Sequence, residues 1–304
     1  LEAVEDAFRE HGLGRTQMPP KSYLYFASHN GDLRTMPAYL ERADAAGVKI
    51  VNVHTGNASK GLPTVMALMV LNSAETGAPK AVMGATYLTG MRTGAAGGIA
   101  ARHLARPDSE TVGLVGAGAQ ARTQLLALSH LFSIREVFVA DERIERCQSL
   151  ERDCRAFLDC NYNLTTDPRE VSECDILATT TPSRKPIIKD DWILPGTHIN
   201  AIGADAKGKQ ELEPAILRRS KVVVDDLAQA THSGEVNVPL SVGEMTIEDI
   251  YAQIGDIVAG KVPGRADDEE ITVFDSTGLA IQDVATAERV YALAKGKGIA
   301  VKFI

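Results

Sequence analysis

Apolar and polar residues alternate over short runs through the first third of the chain, at 22–26, 32–37, 49–54, 65–72 and 81–84. Each run ends in a turn-forming cluster such as His29-Asn30-Gly31, Thr55-Gly56-Asn57 or Glu75-Thr76-Gly77-Ala78-Pro79. A period of two puts alternate side chains on opposite faces, so this region is predicted to be a mainly antiparallel sheet. Ahead of it, Val4, Ala7 and Phe8 recur at helical spacing within 1–11. Behind it, 85–106 is dense in Ala and Gly. Its Gly94, Gly97 and Gly98 weaken a helix yet let another backbone come close, which predicts a tightly packed helix joining two domains.

From Glu110 the texture changes. Apolar strands are predicted at 111–115, 136–140, 176–179, 198–202 and 222–225, with helical patterns at 120–131 and 143–157. Strands alternating with helices indicate βαβ units and a parallel sheet. Around Phe274 the pattern turns to a long helix, 278–295, and 267–270 reads as a solvated acidic loop. No internal repeat is visible.

A length of 304 residues sets a prior of two domains, each able to bury its own core. The balance of 32 basic against 40 acidic side chains leaves a formal charge of −8, with no Lys/Arg block dense enough to neutralise a run of phosphates. Nucleic acid is therefore not an expected partner. An uninterrupted apolar stretch of about 18 residues, the minimum for a membrane span, is missing. Cys147, Cys154, Cys160 and Cys174 match neither a zinc knuckle nor a disulfide framework and read as thiols in a reducing compartment. The sequence starts at Leu1 without an initiator Met, and no signal peptide is visible in it. A cytoplasmic location is expected.

The most specific local signal follows the strand at 111–115. Gly116-Ala117-Gly118-Ala119-Gln120-Ala121 is a GxGxxA turn that opens directly into a helix. Gly116 allows the tight turn, Gly118 lets the backbone reach a pyrophosphate, and the small Ala121 lets helix and strand approach. The helix start then presents free N–H groups and a partial positive charge to the phosphate. The next strand leads to Asp141, 20 residues after Ala121, where a carboxylate accepts both hydroxyls of an adenosine ribose and repels a 2′-phosphate. The order strand, turn, helix, strand, acid predicts a Rossmann-type site for NAD. Arg143, placed to reach a 2′-phosphate, keeps NADP as the alternative.

A nicotinamide enzyme acting on a small acid needs cations for the carboxylate and a proton-transfer group. Lys21, Arg34, Lys49 and Arg92 are the candidate cations, and Lys49 stands out because it starts the apolar run Ile50-Val51-Asn52-Val53. Asp205 follows an apolar strand into a glycine-bearing loop, the place where open parallel sheets hold ligands, and is the candidate acid/base. Asp225 and Asp226 also end a strand and compete with it. No His pairs with a second His or a Cys at ligand spacing, so no metal is expected.

Motifs across nearly the whole chain resemble the ornithine cyclodeaminase and mu-crystallin family, most closely its archaeal alanine dehydrogenase branch. They include Met18-Pro19-Pro20-Lys21, Gly31-Asp32-Leu33-Arg34-Thr35-Met36-Pro37, Lys49-Ile50-Val51-Asn52, His54-Thr55-Gly56-Asn57 and Gly61-Leu62-Pro63-Thr64-Val65. Further along stand Met91-Arg92-Thr93-Gly94, Thr179-Thr180-Thr181-Pro182-Ser183, Ile202-Gly203-Ala204-Asp205, Gly208-Lys209-Gln210-Glu211-Leu212 and Asp275-Ser276-Thr277-Gly278.

The resemblance implies an α/β homodimer in which a Rossmann domain, 108–274, is inserted in a discontinuous α+β domain, 1–107 with 275–304, that binds substrate and dimerises. It implies Asp205 and Lys49 as catalytic groups and Lys21, Arg34 and Arg92 as substrate-binding ones. Thr64, Arg92, Gly116, Ala117, Gly118, Ala119, Gln120, Asp141, Thr181, Lys209 and Ser276 are implied to contact the cofactor. Gly84 stands where relatives often carry an acid, and Thr55 replaces a common Pro. The implied reaction is reversible, NAD-dependent deamination of L-alanine to pyruvate and ammonium. Ornithine cyclodeamination and reduction of a cyclic imine are the enzymatic alternatives, and a binding protein without turnover is the alternative of another class.

Overall fold

The computed structural model describes residues 1–299, so residues 300–304 of the expected 275–304 segment lie outside the described residues. In chain order the elements begin with α1 (Glu2–Gly12), β1 (Thr16–Gln17), β2 (Ser22–Phe26), β3 (Gly31–Leu40), β4 (Ala45–His54), β5 (Val65–Ser73), β6 (Pro79–Gly84) and α2 (Thr86–Leu104). They continue with β7 (Thr111–Val115), α3 (Ala119–Ser129), β8 (Glu136–Ala140), α4 (Ile144–Cys154), β9 (Asn161–Thr165), β10 (Ile176–Thr179) and β11 (His198–Ala201). The last are α5 (Pro214–Arg218), β12 (Lys221–Val224), α6 (Leu227–Ser233), α7 (Asn237–Ser241), β13 (Ile250–Gln253), α8 (Ile254–Val258), β14 (Thr272–Asp275) and α9 (Ala280–Ala294). The chain divides into two compact units, Thr93–Gly278 in one and Glu2–Arg92 with the segment beginning at Leu279 in the other.

In the second of these units β1 to β6 form one antiparallel sheet. The period-two pattern decides its faces: Met36, Ala38, Leu40, Val51, Met69 and Leu71 are buried, and α9 packs on β3, β4 and β5. The opposite face carries Leu68, Val70 and Val82, of which Leu68 and Val82 are 42% and 53% exposed. Lys49 interrupts the apolar face, in register with Met36 and Met69, and is 1% exposed.

The unit spanning Thr93–Gly278 holds an eight-stranded, wholly parallel sheet in the order β13-β12-β14-β11-β10-β7-β8-β9. Its interior strands are short, rich in apolar residues and largely buried on both faces, as helix-covered parallel strands must be. The order reverses at β7, whose neighbours are β10 and β8, and this switch point is where open sheets leave a crevice at their carboxyl ends. Two expectations change. Phe274 does not begin the return to a helix but lies in β14, a central strand between β11 and β12. β9 and β13, unpredicted, are the two edge strands, and their mixed sequences Asn-Tyr-Asn-Leu-Thr and Ile-Tyr-Ala-Gln lack the apolar signature of the interior ones.

Candidate active site

At the switch point the turn after β7 is built as its glycines require. Gly116 has φ +91°, a left-handed conformation that side chains rarely adopt, and its carbonyl accepts Thr180 Oγ1 at 2.9 Å from the loop after β10. Gly118 precedes α3 with no side-chain cap on the helix, and a Cβ there would meet nothing within 4 Å. The 11-residue α3 thus starts without a side-chain cap, beside a backbone at Gly118 that a ligand can approach closely. Ala121 is fully buried against the sheet. Asp141, just past β8, accepts the Ala117 N–H at 3.0 Å and the Arg143 N–H at 3.0 Å, which fixes its carboxylate beside the turn. Arg146, and not Arg143, is the guanidinium nearest that carboxylate, at 3.7 Å.

The loop after β11 carries Asp205. Its carboxylate is half-buried and lies 2.5 Å from Lys209 Nζ, which also reaches Gly203 O at 3.4 Å. The competing acids have structural work. Asp225 is fully buried and accepts the N–H groups of Thr277 and Gly278, each at 2.7 Å, while Asp226 caps α6 by accepting Gln229 N–H at 2.9 Å. Geometry therefore separates Asp205 from Asp225 and Asp226, which the sequence leaves level.

Thr181 and Ser276 complete this edge. Thr181 donates its N–H and hydroxyl to Glu211 at 2.7 and 2.8 Å. Ser276 is 3% exposed, and among the described residues its Oγ finds no hydrogen-bond partner, which suits a ligand group. Gln120 lies in the first turn of α3, with Oε1 3.4 Å from Thr123 Oγ1. Among the described residues no group of three His, Cys, Asp or Glu side chains is arranged to hold a metal ion.

Beneath this edge sit three fully buried acids, Glu211, Glu235 and Asp275, that sequence reasoning did not single out. Burial lifts Asp275 from the usual 3.8 to about 7, and burial followed by the charge of Glu211 pushes Glu235 well above the carboxylate range. Between the two values for Asp275 the folded protein keeps a proton that the unfolded chain has released. Stability therefore falls as pH rises from about 4 to about 7, by up to ~1.4 kcal/mol per pH unit. Asp275→Asn is expected to flatten this slope and to be more stable than the parent at pH 8. Denaturant unfolding at pH 5.5 and 8 checks it, and an unchanged slope would show that Asp275 does not hold that proton.

The other unit gathers cations. Lys49 Nζ of β4 lies 2.7 Å from Asp283 Oδ2 of α9, and Arg92 of α2 donates its Nε to Asp283 Oδ1 and its Nη1 to Gln282 Oε1, both at 2.9 Å. All four side chains are at least nine-tenths buried. Burial, then the charge of Arg92, brings Lys49 down to about 7, against the opposing pull of Asp283; Lys21 adds to the lowering. Lys49 and Arg92 share the carboxylate of Asp283, an electrostatic excess that a small anion would relieve. Arg34 shares the face of Lys49 on the adjacent strand and is held by Asp32 through two bonds of 2.8 and 3.1 Å, 5.4 Å from the Tyr23 ring centroid. Thr64 is exposed, and its carbonyl accepts the His54 N–H at 2.9 Å. Gln282, Asp283 and Asp32 went unassigned in the sequence. The trace they leave is the polar pair Gln282-Asp283 within the otherwise apolar opening of α9.

A parallel sheet with its glycine turn, ribose-side acid and switch point, in one chain with a buried excess of cations, defines a Rossmann-type oxidoreductase. The chain belongs to the ornithine cyclodeaminase/mu-crystallin family, whose profile matches residues 1–298. It is 56% identical over 306 residues to the alanine dehydrogenase of Archaeoglobus fulgidus, covering 100% of this chain and 93% of that one. Among solved structures, an archaeal alanine dehydrogenase dimer with bound NAD superposes with a TM-score of 0.95 at 54% identity, covering 100% of this chain and 93% of the other. The Δ1-pyrroline-2-carboxylate reductase of Thermococcus litoralis, in complex with NADH and L-proline, also gives a TM-score of 0.95, at 39% identity, covering 99% and 94%.

Proposed function

We propose that the protein is an NAD-dependent alanine dehydrogenase, catalysing reversible oxidative deamination of L-alanine to pyruvate and ammonium. The observation that carries this reading is the buried Lys49-Arg92-Asp283 cluster, whose positive excess suits the carboxylate of a small amino acid, in a chain 56% identical to an alanine dehydrogenase. NAD fits the residues present: an uncapped α3, an open Gly118, the unpartnered Ser276 hydroxyl and a fixed Asp141. When bound, it supplies the hydride acceptor for the alanine Cα.

The chain's own residues do the rest. Arg92, Lys21 and Arg34 hold the substrate carboxylate, since charge-assisted bonds fix both position and orientation. Lys49, with a proton that it exchanges near neutral pH, polarises the developing imine and carbonyl. Asp205 moves protons between the amine, water and the carbinolamine, and Lys209 aims its carboxylate. Ala117, Ala119 and Gln120 line the phosphate turn, with Thr64 and Thr181 as further cofactor contacts. The unit Glu2–Arg92 with the segment beginning at Leu279 serves substrate binding and dimerisation, and the unit Thr93–Gly278 binds NAD.

The bare apolar face with Leu68, Val70 and Val82 supports a homodimer, because a face of this kind on an antiparallel sheet needs a cover. Among the described residues no helix is long and apolar enough to cross a membrane. We place the enzyme in the cytoplasm. Its four cysteines are free, and burial pushes the Cys154 and Cys174 thiols up to about 11 and about 12, which suits a reducing compartment.

Absorbance at the NADH band tests the reading. Alanine with NAD should yield NADH and pyruvate in equal amounts, with NADP giving much less. Ornithine should give no net NADH and no proline. Failure of alanine to reduce NAD, with oxidation of NADH by pyrroline-2-carboxylate instead, would replace alanine by a cyclic imine as substrate.

A further inference from the structure

The three buried acids under the carboxyl edge form a chain of grips on backbone. Glu211 Oε1 accepts the N–H and hydroxyl of Thr181, and its Oε2 accepts Gly203 N–H at 2.9 Å. The Glu211 N–H is in turn held by the Glu235 carboxylate at 2.9 Å, together with the Leu212 N–H at 2.7 Å. The carboxylate of Asp275 then accepts the Val236 N–H at 3.1 Å. Glu211 therefore ties two loops that leave adjacent strands: the one after β10, with Thr181, and the one after β11, with Asp205.

The far end of the second loop is clamped separately. Asn237 is 5% exposed; its Oδ1 accepts Gly208 N–H at 2.9 Å, and its Nδ2 donates to Lys209 O at 3.1 Å. Between these two anchors the loop closes on itself, because Gly203 O accepts both the Asp205 N–H at 3.0 Å and Lys209 Nζ at 3.4 Å. Glu211 thus holds the loop at Gly203 and Asn237 holds it at Gly208 and Lys209, while the Lys209 N–H donates to Ala206 O at 3.1 Å within it.

We propose that Glu211 and Asn237 are positioning residues: from the two ends of the 203–209 loop they set the place of Asp205 and Lys209, and Glu211 makes that place move in step with Thr181. The role of Asp205 in turnover rests on the alanine dehydrogenase reading; the anchoring of the loop does not. A fully buried carboxylate is suited to this task because it accepts from several donors at once. Replacing it with an amide of the same shape puts an NH₂ against an N–H, whichever way the amide is turned.

The test uses Glu211→Gln in the full-length protein with two readouts. Hydrogen exchange followed by mass spectrometry should show amides in 203–209 exchanging at least ~10-fold faster than in the parent, with β7 and α3 unchanged. Turnover of alanine should fall ~10- to 100-fold per NADH-binding site, with a larger isotope effect from 2-deuterated alanine, as expected when misplaced groups slow the chemical step. A purely structural role would lower the melting temperature and the number of active sites but leave the isotope effect where it was. Unchanged exchange in 203–209 overturns the proposal whatever the substrate proves to be. Faster exchange in a protein inactive on alanine even as wild type would retain the anchor and discard the substrate. If Glu211→Gln does not fold, Asn237→Ala carries the same two expectations and is judged by the same outcomes.

Discussion

Asp205→Asn binds NADH with nearly the parent affinity and turns alanine over roughly 10²- to 10⁴-fold more slowly, the usual worth of a positioned acid/base. The asparagine keeps the size of the side chain and an oxygen for Lys209 Nζ, now 2.5 Å from the carboxylate. It cannot take up or release the proton that the amine and carbinolamine must exchange. The fall therefore appears in kcat as well as in kcat/KM, because the lost interaction belongs to the transition state. Steady-state rates with alanine and NAD, beside a fluorescence titration with NADH, measure both quantities. Turnover like the parent's would remove Asp205 from the reaction and leave the loop after β11 with no chemical role.

The second large effect is on stability. Asp283→Asn should cost about 3–5 kcal/mol of unfolding free energy, the typical consequence of taking one partner out of a buried ion pair. Lys49 and Arg92, 1% and 6% exposed, would then face each other with no carboxylate between them. Adding Lys49→Met should restore most of the loss, since it removes the stranded charge and fills the space with apolar atoms beside Met36 and Met69. The double variant should nevertheless remain inactive. Urea denaturation of parent, single and double variants gives the three energies; a double variant no more stable than Asp283→Asn would mean that like-charge repulsion is not what Asp283 relieves.

What could be read in the sequence was local. The glycine turn, the strand ahead of it and Asp141 lie within one supersecondary unit, so their spacing alone reports the nucleotide site. β7, β8 and β10 were legible because apolar runs bounded by turns leave little choice. Four residues of β14, flanked by a helix, are too short a run to reveal a period, and the strand went unseen. Lys49 was legible as an anomaly, a charge inside an apolar strand, but its partner Asp283 comes from a helix at the other end of the chain, and no spacing rule links them. The same limit applied to the acids. Asp205, Asp225 and Asp226 share the ends of strands, and only the N–H groups that saturate Asp225 and the cap made by Asp226 tell them apart. Glu211, Glu235 and Asp275 serve backbone amides, a task with no side-chain signature.

Leaving Leu68, Val70 and Val82 uncovered on one side of the antiparallel sheet makes the robustness of each protomer depend on how many others surround it. Dilution strips away the covering copy by mass action and returns that oily surface to water. A thinly populated solution should therefore melt earlier than a concentrated one and cling more readily to vessel walls.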